Sequence, residues 1–184
     1  NLTASFQAPV AGLHHQQEAP SFEGPDNLLN ESELLNKHKK DLPPGIYDQI
    51  NHYRPIETRP VNEEAHFLNI KAKNHQMLWF RAKEPLDDNL VLHRSILAYA
   101  TDLSLLSTSL RPHEMNWFDQ NIVTASIDHA LWIHSPDVRV DQWLLYVMDS
   151  PWSGSSRGLN RGSIYTQSGE LVASVAQEGL VRLI

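Results

Sequence analysis

The chain has 184 residues, 41% hydrophobic and 20% charged, which is enough to bury one substantial core with residues to spare. Its net charge of -7 at neutral pH argues against nucleic acid or an anionic membrane as its main partner. The absence of cysteine excludes disulfide bonds, a thiol nucleophile and thiolate metal sites.

The first quarter of the chain differs in composition from the rest. Residues 1–8 alternate apolar and polar side chains, which predicts a strand. Residues 9–44 are rich in proline, glycine, asparagine and charged side chains, a composition typical of a linker. Within this linker, residues 32–39 predict a short amphipathic helix.

One long helix among strands is predicted for the remainder. Apolar residues recur at three and four positions over residues 88–106, with Asp87 and Asp88 as cap and first-turn residues. Alternating or continuous apolar runs predict strands, at residues 52–61, 65–71, 76–81, 122–134, 143–148, 159–166 and 171–183. Ser168 and Gly169 predict a hairpin turn before the last strand. The fold class is therefore predicted to be α+β with an antiparallel sheet.

Asp102 interrupts an apolar stripe of the predicted helix, because it shares one face with Ala98, Tyr99, Leu105 and Leu106. A half-buried carboxylate needs a partner or a raised pKa, which makes Asp102 a candidate site residue. The alternative is a carboxylate near the helix end that caps a loop or meets an arginine.

Two more polar residues stand out in the strands. Ser126 lies on the more polar face of the 122–134 strand, and its position alone favours an ordinary serine on a solvated sheet face. Gln177 ends a row formed by Leu171, Ala173 and Val175 on one side of the last strand, so its amide must hydrogen-bond something. A bulge or bend is plausible at Gly179.

The segment from Gly154 to Gly158 matches the G-x-S-x-G nucleophile motif, with Ser156 as the nucleophile. The α/β-hydrolase fold that carries this motif needs an acid and then a histidine later in the chain. No aspartate and no histidine follows Ser156, and strands and helices do not alternate. The segment is better interpreted as a short connection between two strands.

Several segments together resemble acyl-CoA thioesterase II. These are the helix segment Leu-Ala-Tyr-Ala-Thr-Asp-Leu at residues 97–103, the strand Ala-Ser-Ile-Asp-His-Ala-Leu-Trp-Ile-His at 125–134, and the ending Leu-Val-Ala-Ser-Val-Ala-Gln-Glu-Gly-Leu-Val-Arg at 171–182. Residues 4–8, 59–61, 143–146, 157–158 and 165–167 agree as well. The segments occur in the order of that family and cover the second half of its chain.

The resemblance implies a double hotdog, in which each of two repeats wraps a curved antiparallel sheet round one long helix. It also implies a catalytic site in which Asp102, Ser126 and Gln177 orient a water that attacks the thioester carbonyl. Direct attack by the carboxylate through an anhydride is the alternative. We expect the three side chains to meet beside the N-terminal half of the helix or its neighbour, with oxyanion donors near a helix start.

The same resemblance implies a division of the chain. Residues 1–8 correspond to the last strand of a truncated first repeat, 9–44 to the linker and 45–184 to the C-terminal hotdog domain with the catalytic residues. A strand without its sheet leaves an unpaired edge, which predicts either association with the absent repeat or a homo-oligomer.

The substrate implied by the resemblance is a fatty acyl-CoA, with no cofactor. Coenzyme A is anionic, so Arg157 and Arg161, on one face of a predicted strand, are candidates to bind it; ordinary surface arginines are the alternative. No metal is expected, because neither histidine pair, His14 with His15 or His129 with His134, has good ligand geometry. No transmembrane run is visible, and the cytoplasm is the expected location.

Two other function classes compete with a thioester hydrolase. A non-catalytic acyl-CoA binding or regulatory module would need none of the three polar residues. A hotdog enoyl-CoA hydratase would need an aspartate and histidine pair that the sequence does not reveal, while Asp102 with Gln177 suits the orientation of water.

Overall fold

A computed structural model describes residues 1–8, 10–21, 23–68 and 72–184. The helices are α1 (Glu31–Lys37), α2 (Ile46–Ile50), α3 (Glu64–Phe67) and α4 (Leu90–Asp102), with short 3-10 helices at Pro25–Asn27, Leu106–Ser109 and Arg111–His113. The strands are β1 (Ile56–Pro60), β2 (His75–Ala82), β3 (Ile122–Ser126), β4 (Ala130–Ile133), β5 (Leu144–Gly154), β6 (Arg157–Thr166) and β7 (Leu171–Leu183). Across these described parts, no helix has both the length and the apolarity to cross a membrane.

The strands form one antiparallel sheet in the order β1-β2-β5-β6-β7, with β3 and β4 both paired to β7. Helix α4 packs on one face of this sheet. Its Leu97 and Ala100 are buried in the main core with Phe80, Tyr146 and Ile164 from the strands. The predicted arrangement of one long helix against an antiparallel sheet is confirmed.

The linker covers the opposite face of the sheet. Trp79, Trp143 and Tyr165 form a second buried cluster there, against which Ala19 and Leu28 of the linker pack. The predicted linker helix is confirmed as α1, which begins with a capping box between Asn30 and Glu33. Helix α4 therefore packs on one face of the sheet, and the linker covers part of the other.

The segment predicted as one strand over residues 122–134 is two strands with a break. Ser126 pairs with Gly179 and Ala130 with Ala176, so three residues on one strand oppose two on β7. The backbone N–H groups of Ile127 and Asp128 both point at the carbonyl of Glu178, at 2.9 and 3.4 Å. One extra residue reverses which side chains face inward, so the strict alternation predicted for this segment is wrong.

The row that Gln177 ends is also shorter than predicted. The pairing of β6 with β7 shifts register between Ile164 and Tyr165, which leaves Val172 as an extra residue. Leu171 therefore packs in the linker-side cluster, whereas Ala173 and Val175 lie in the main core. Two members of the predicted row share the face of Gln177, and Leu171 does not.

Two other predicted strands differ from the structure. Residues 1–8 are exposed and form no strand. Of the predicted strand at 65–71, residues 65–67 belong to helix α3 and 69–71 lie outside the described residues. The remaining strands occur where predicted, β7 at its predicted bounds and the others with shifted ends.

Helix α4 begins later and turns a different face inward than predicted. Asn89, rather than Asp87 or Asp88, caps it by accepting hydrogen bonds from two backbone N–H groups. The buried face is formed by His93, Leu97, Ala100 and Thr101. Apolar residues occur all round this helix, which is why periodicity alone selected the wrong stripe.

The Gly154 to Gly158 segment is confirmed as a connection between two strands. Gly154 pairs with Arg157 across the β5–β6 hairpin, and the two serines between them have positive φ angles of 48° and 61°. This is the backbone of a tight two-residue turn of the primed type. Ser156 is therefore a turn residue.

Candidate active site

The end of helix α4 is held in place by the sheet beneath it. The Tyr146 hydroxyl donates a hydrogen bond of 2.9 Å to the carbonyl of Thr101, which has no partner within the helix. Burial, together with the charge of Asp102, raises the pKa of Tyr146 well above its usual range. The neutral phenol therefore remains a hydrogen-bond donor that fixes the position of Asp102.

The segment after the helix is fixed by a buried amide. Gln76 on β2 donates hydrogen bonds to the Ser104 carbonyl at 2.8 Å and to the Thr108 hydroxyl at 2.7 Å. On the other side, Leu106 packs so closely on the backbone of Gly179 that a Cβ there would lie 2.1 Å from it. These contacts bring the end of α4 against the middle of β7.

The three residues singled out by the sequence lie together at this junction. Gln177 Nε2 donates to Asp102 Oδ1 at 2.5 Å and to Ser126 Oγ at 3.1 Å. Ser126 Oγ lies 3.4 Å from the same Asp102 oxygen. Helix α4 and strands β3 and β7, which are far apart in sequence, each contribute one member.

Neutral donors hold the Asp102 carboxylate. No arginine or lysine among the described residues pairs with it, and His129 Nδ1 is 3.7 Å from Oδ1. Its Oδ2 accepts no hydrogen bond from the part of the chain that the structure describes. The side chain is 52% exposed, so this carboxylate can accept a proton or a hydrogen bond from a small molecule.

A cavity of about 510 Å³ opens beside the junction. Asp102 and Ser126 line it, whereas Gln177 lies behind them and is fully buried. The rest of the wall is mixed. Its apolar and aromatic part is formed by Tyr99, Leu103, Leu106, Leu110, Met115 and Trp117, and its polar part includes Glu31, Arg54 and Arg111. A cavity of this size and character suits a small molecule with both an apolar and a polar part.

The position of the cluster along α4 differs from the prediction. Asp102 is the last residue of the helix, and at 1.5 Å per residue the start of the helix is roughly 18 Å away. The first N–H groups of α4 are also occupied by Asn89. The start of α4 therefore cannot supply oxyanion donors to this site, and the expected position beside its N-terminal half is wrong.

Arg157 and Arg161 are not brought to the cluster. Asn160 pairs in register with Gln177 and is buried on the same face of the sheet, so the two arginines point to the other face. Arg157 pairs with Glu178 at 3.3 Å and Arg161 with Asp149 at 2.5 Å. Their contacts are those of surface ion pairs.

His129 belongs to the cluster although its sequence position gave little sign of it. Gln177 Nε2 lies 3.3 Å from its Nδ1, and Thr101 Oγ1 lies 3.1 Å from its Nε2. A continuous strand would have alternated through this segment, so the extra residue before Ala130 hid the inward direction of His129. In the sequence, only the Ile-Asp-His run that follows Ser126 pointed to His129 as a member of this cluster.

This fold is that of a hotdog protein, and comparison with known proteins agrees. A protein of unknown function with a hotdog fold from Alicyclobacillus acidocaldarius superposes with a TM-score of 0.66 at 14% identity, covering 96% of this chain and 59% of that one. Acyl-CoA thioesterase II TesB2 from Mycobacterium marinum superposes with a TM-score of 0.74 at 35% identity, covering 97% of this chain and 60% of that one.

Sequence comparison defines the family. A family model described as acyl-CoA thioesterase matches residues 48–180, so the chain belongs to the acyl-CoA thioesterase family. It is 32% identical over 182 residues to acyl-CoA thioesterase 2 of Haemophilus influenzae and 34% identical over 188 residues to human acyl-coenzyme A thioesterase 8. The alignments cover 99% and 98% of this chain but 63% and 58% of those relatives, so it spans about 60% of their length.

Proposed function

We propose that this chain hydrolyses fatty acyl-CoA thioesters to a free fatty acid and coenzyme A, using a water oriented by Asp102, Ser126 and Gln177. The observation that carries the proposal is the convergence of these side chains, within 2.5 to 3.4 Å of one another, beside a cavity with both apolar and polar walls. The names of its relatives support acyl-CoA as the substrate class.

In this mechanism Asp102 accepts a proton from the water as its oxygen bonds to the thioester carbonyl carbon. Ser126, which lines the cavity, holds the water in line with that carbon, and Gln177 holds Asp102 and Ser126 in place from behind. The tetrahedral intermediate then collapses, the carbon–sulfur bond breaks, and the proton on Asp102 passes to the departing thiolate. The products are the carboxylic acid and coenzyme A, and the enzyme returns to its starting state.

Attack by Asp102 itself would proceed through a mixed anhydride. The two routes differ in the first turnover, because water that opens the anhydride can attack at the aspartyl carbon. A single turnover in ¹⁸O-labelled water, with enzyme in excess, distinguishes them. Label in the fatty acid alone supports the water mechanism, and label in Asp102 supports the anhydride.

The hydratase alternative is less well supported. Asp102 and His129 do come within 3.7 Å, which is the pair that such an enzyme would need. Both ring nitrogens of His129 nevertheless face protein groups, Gln177 and Thr101, and His129 does not line the cavity. It is therefore not available to donate a proton to a bound enoyl group.

The proposal extends to the organisation of the whole protein, with residues 1–8 and 9–44 as the end of a first repeat and its linker. Exposed apolar side chains favour association with a further partner, which would be either a first repeat or a second copy of this chain. They lie on α4 and on the β3–β4 edge, and include Val91, Leu103, Val123, Ile127, Trp132 and Ile133.

The test is release of free thiol from a short and a long acyl-CoA by this chain and its Asp102→Asn variant. We expect turnover to fall on the order of 10² to 10⁴-fold in the variant, because the proton acceptor is lost. Asp137→Asn, which removes an exposed carboxylate outside the cavity, is the matched control. Equal turnover in Asp102→Asn and the parent would refute the mechanism, and binding without any hydrolysis by the parent would favour the non-catalytic module.

A further inference from the structure

We propose that His129 is a positioning residue, which fixes the Gln177 amide with its nitrogen toward Asp102. This inference rests on the proposed function, because it concerns the same site. It begins with the orientation of the Gln177 amide. The amide nitrogen has two hydrogens and faces three acceptor atoms, on Asp102, Ser126 and His129.

The orientation has a cost that its neighbours must offset. Gln177 is fully buried, and its Oε1 has no hydrogen-bond partner among the residues that the structure describes. An unsatisfied buried acceptor destabilises a fold, because it gives up its hydrogen bonds to water and gains none in the protein. The opposite orientation would place Oε1 against the Asp102 carboxylate but would let it accept from the Ser126 hydroxyl. Which orientation of the Gln177 amide is favoured therefore depends on whether His129 Nδ1 presents a lone pair or an N–H to it.

Thr101 determines which ring nitrogen of His129 carries the proton. Its hydroxyl lies 3.0 Å from the Ala98 carbonyl, one turn back on α4, and 3.1 Å from His129 Nε2. A hydroxyl has one hydrogen, and the carbonyl can only accept. Thr101 therefore donates to Ala98 and accepts from His129, which places the imidazole hydrogen on Nε2.

With the hydrogen on Nε2, Nδ1 presents a lone pair 3.3 Å from Gln177 Nε2. That lone pair attracts the amide nitrogen, because it shares with Ser126 Oγ the hydrogen that does not point at Asp102, and it repels the amide oxygen, so it favours the orientation that Asp102 needs. The other tautomer would direct an N–H at the amide and favour its oxygen instead. A chain from Ala98 through Thr101 and His129 thus sets the donor that Gln177 offers to Asp102.

One test reads the tautomer directly and requires no turnover. Two-bond ¹H–¹⁵N spectra of the imidazole groups, with the His129 signals assigned by their loss in His129→Asn, report which nitrogen is protonated. At neutral pH we expect a hydrogen on Nε2 and a bare Nδ1. A hydrogen on Nδ1, alone or together with Nε2, would overturn the proposal.

A matched pair of variants tests the consequence for the reaction. In His129→Asn the amide oxygen can take the place of Nδ1 and accept from Gln177. In His129→Gln the amide reaches toward Thr101 and leaves Gln177 without this acceptor. We expect His129→Asn to retain kcat within about threefold and His129→Gln to lose about tenfold or more, the value of one hydrogen bond. Because His129 lies outside the cavity lining, KM should remain unchanged in both.

Equal losses in the two variants, or a change confined to KM, would refute the positioning role. Asp102→Asn, assayed in parallel, separates this inference from the proposed function. If Asp102→Asn is inactive while the two His129 variants are equal, only the inference fails. If Asp102→Asn keeps full activity, the proposed mechanism fails, and the tautomer measurement still decides how Gln177 is held.

Discussion

Two carboxylates line the same cavity, and they are held in opposite ways. Glu31, at the start of α1, lies 2.9 Å from Arg54 and 3.4 Å from His66, and accepts a hydrogen bond from Thr58 at 3.2 Å. Asp102 has neutral donors and an oxygen with no partner among the described residues. The side chain of Glu31 is 21% exposed and that of Asp102 is 52% exposed.

The electrostatics of Glu31 follow from these contacts. Burial raises its pKa, but the hydrogen bond and charge of His66, the charge of Arg54 and the hydrogen bond of Thr58 outweigh burial and hold the pKa at about 2. A carboxylate held in this way is a poor proton acceptor. Its contacts attach the linker helix α1 to β1 and α3, which makes it a structural group.

The difference indicates how one cavity can contain a structural and a reactive carboxylate. Cations lower the free energy of the ionised form, and they reduce its tendency to take a proton. Amide and hydroxyl donors orient a carboxylate without adding a full positive charge. We therefore expect changes at Asp102 and its donors to affect turnover, and changes at Glu31 to affect stability.

The largest expected effect comes from a second carboxylate beside Asp102. Gln177→Glu replaces the donor nitrogen by an oxygen, so the two acids must share a proton, and we expect kcat to fall about 100-fold or more. Glu178→Gln, at the next position and on the other face of β7, is the control. Circular dichroism checks that both variants fold. Full activity in folded Gln177→Glu would contradict the role of the neutral amide.

The next effect is on stability. Glu31→Gln removes the ionic contacts that join α1 to the domain, and we expect a loss on the order of 2 kcal/mol near neutral pH in urea unfolding. Because the pKa of Glu31 is lowered in the folded state, its contribution is present above about pH 4.5 and is lost as the pH falls toward 2. The parent and the variant should therefore converge in acid.

Glu33→Gln is the control for this experiment, since glutamine can replace glutamate in the capping box of the same helix. It should follow the pH dependence of the parent. A gap between the parent and Glu31→Gln that stays constant from pH 7 to pH 3 would show that ionisation of Glu31 is not its source.

A smaller effect is expected at Ser126. Its hydroxyl is 3.4 Å from Asp102 and accepts from Gln177 at 3.1 Å, so Ser126→Ala removes one weak and one ordinary hydrogen bond. We expect about a tenfold loss of kcat. Ser126→Thr keeps the hydroxyl and should recover most of the activity. If threonine and alanine are equally poor, the space at this position matters more than the hydroxyl.

The smallest effects are expected at the two arginines. Arg157→Gln and Arg161→Gln each break an ion pair on the face of the sheet opposite Gln177, and exposed pairs contribute roughly 0–1 kcal/mol. KM for acyl-CoA should change less than about twofold. A tenfold rise in KM for either variant would restore that arginine as a coenzyme A contact.

Much of the fold follows from local patterns, and the sequence predicted it. Strand β7 was predicted at its observed bounds, because a long apolar run beside a hairpin turn is a strong local signal. Asp102 and Gln177 could be singled out because each interrupted or ended an apolar row predicted for its element, whereas Ser126 lay on a polar strand face where a serine is ordinary. The resemblance to a known family then grouped them.

What the sequence did not reveal depends on contacts between distant segments. The role of Glu31 required Arg54 and His66, which lie 23 and 35 residues away. The inward direction of His129 required the register of β7, because the extra residue is visible only against its partner strand. The buried face of α4 was ambiguous for the same reason, since only packing distinguishes among apolar faces.

The extra residue between β3 and β4 also constrains how this segment can change over evolutionary time. Substitutions there leave the count of residues intact, so many of them are compatible with the same pairing. Loss of a single codon from residues 127–129 would let β3 and β4 pair with β7 without interruption, and would turn either Ser126 or His129 away from Gln177. The segment should therefore tolerate replacement far better than deletion.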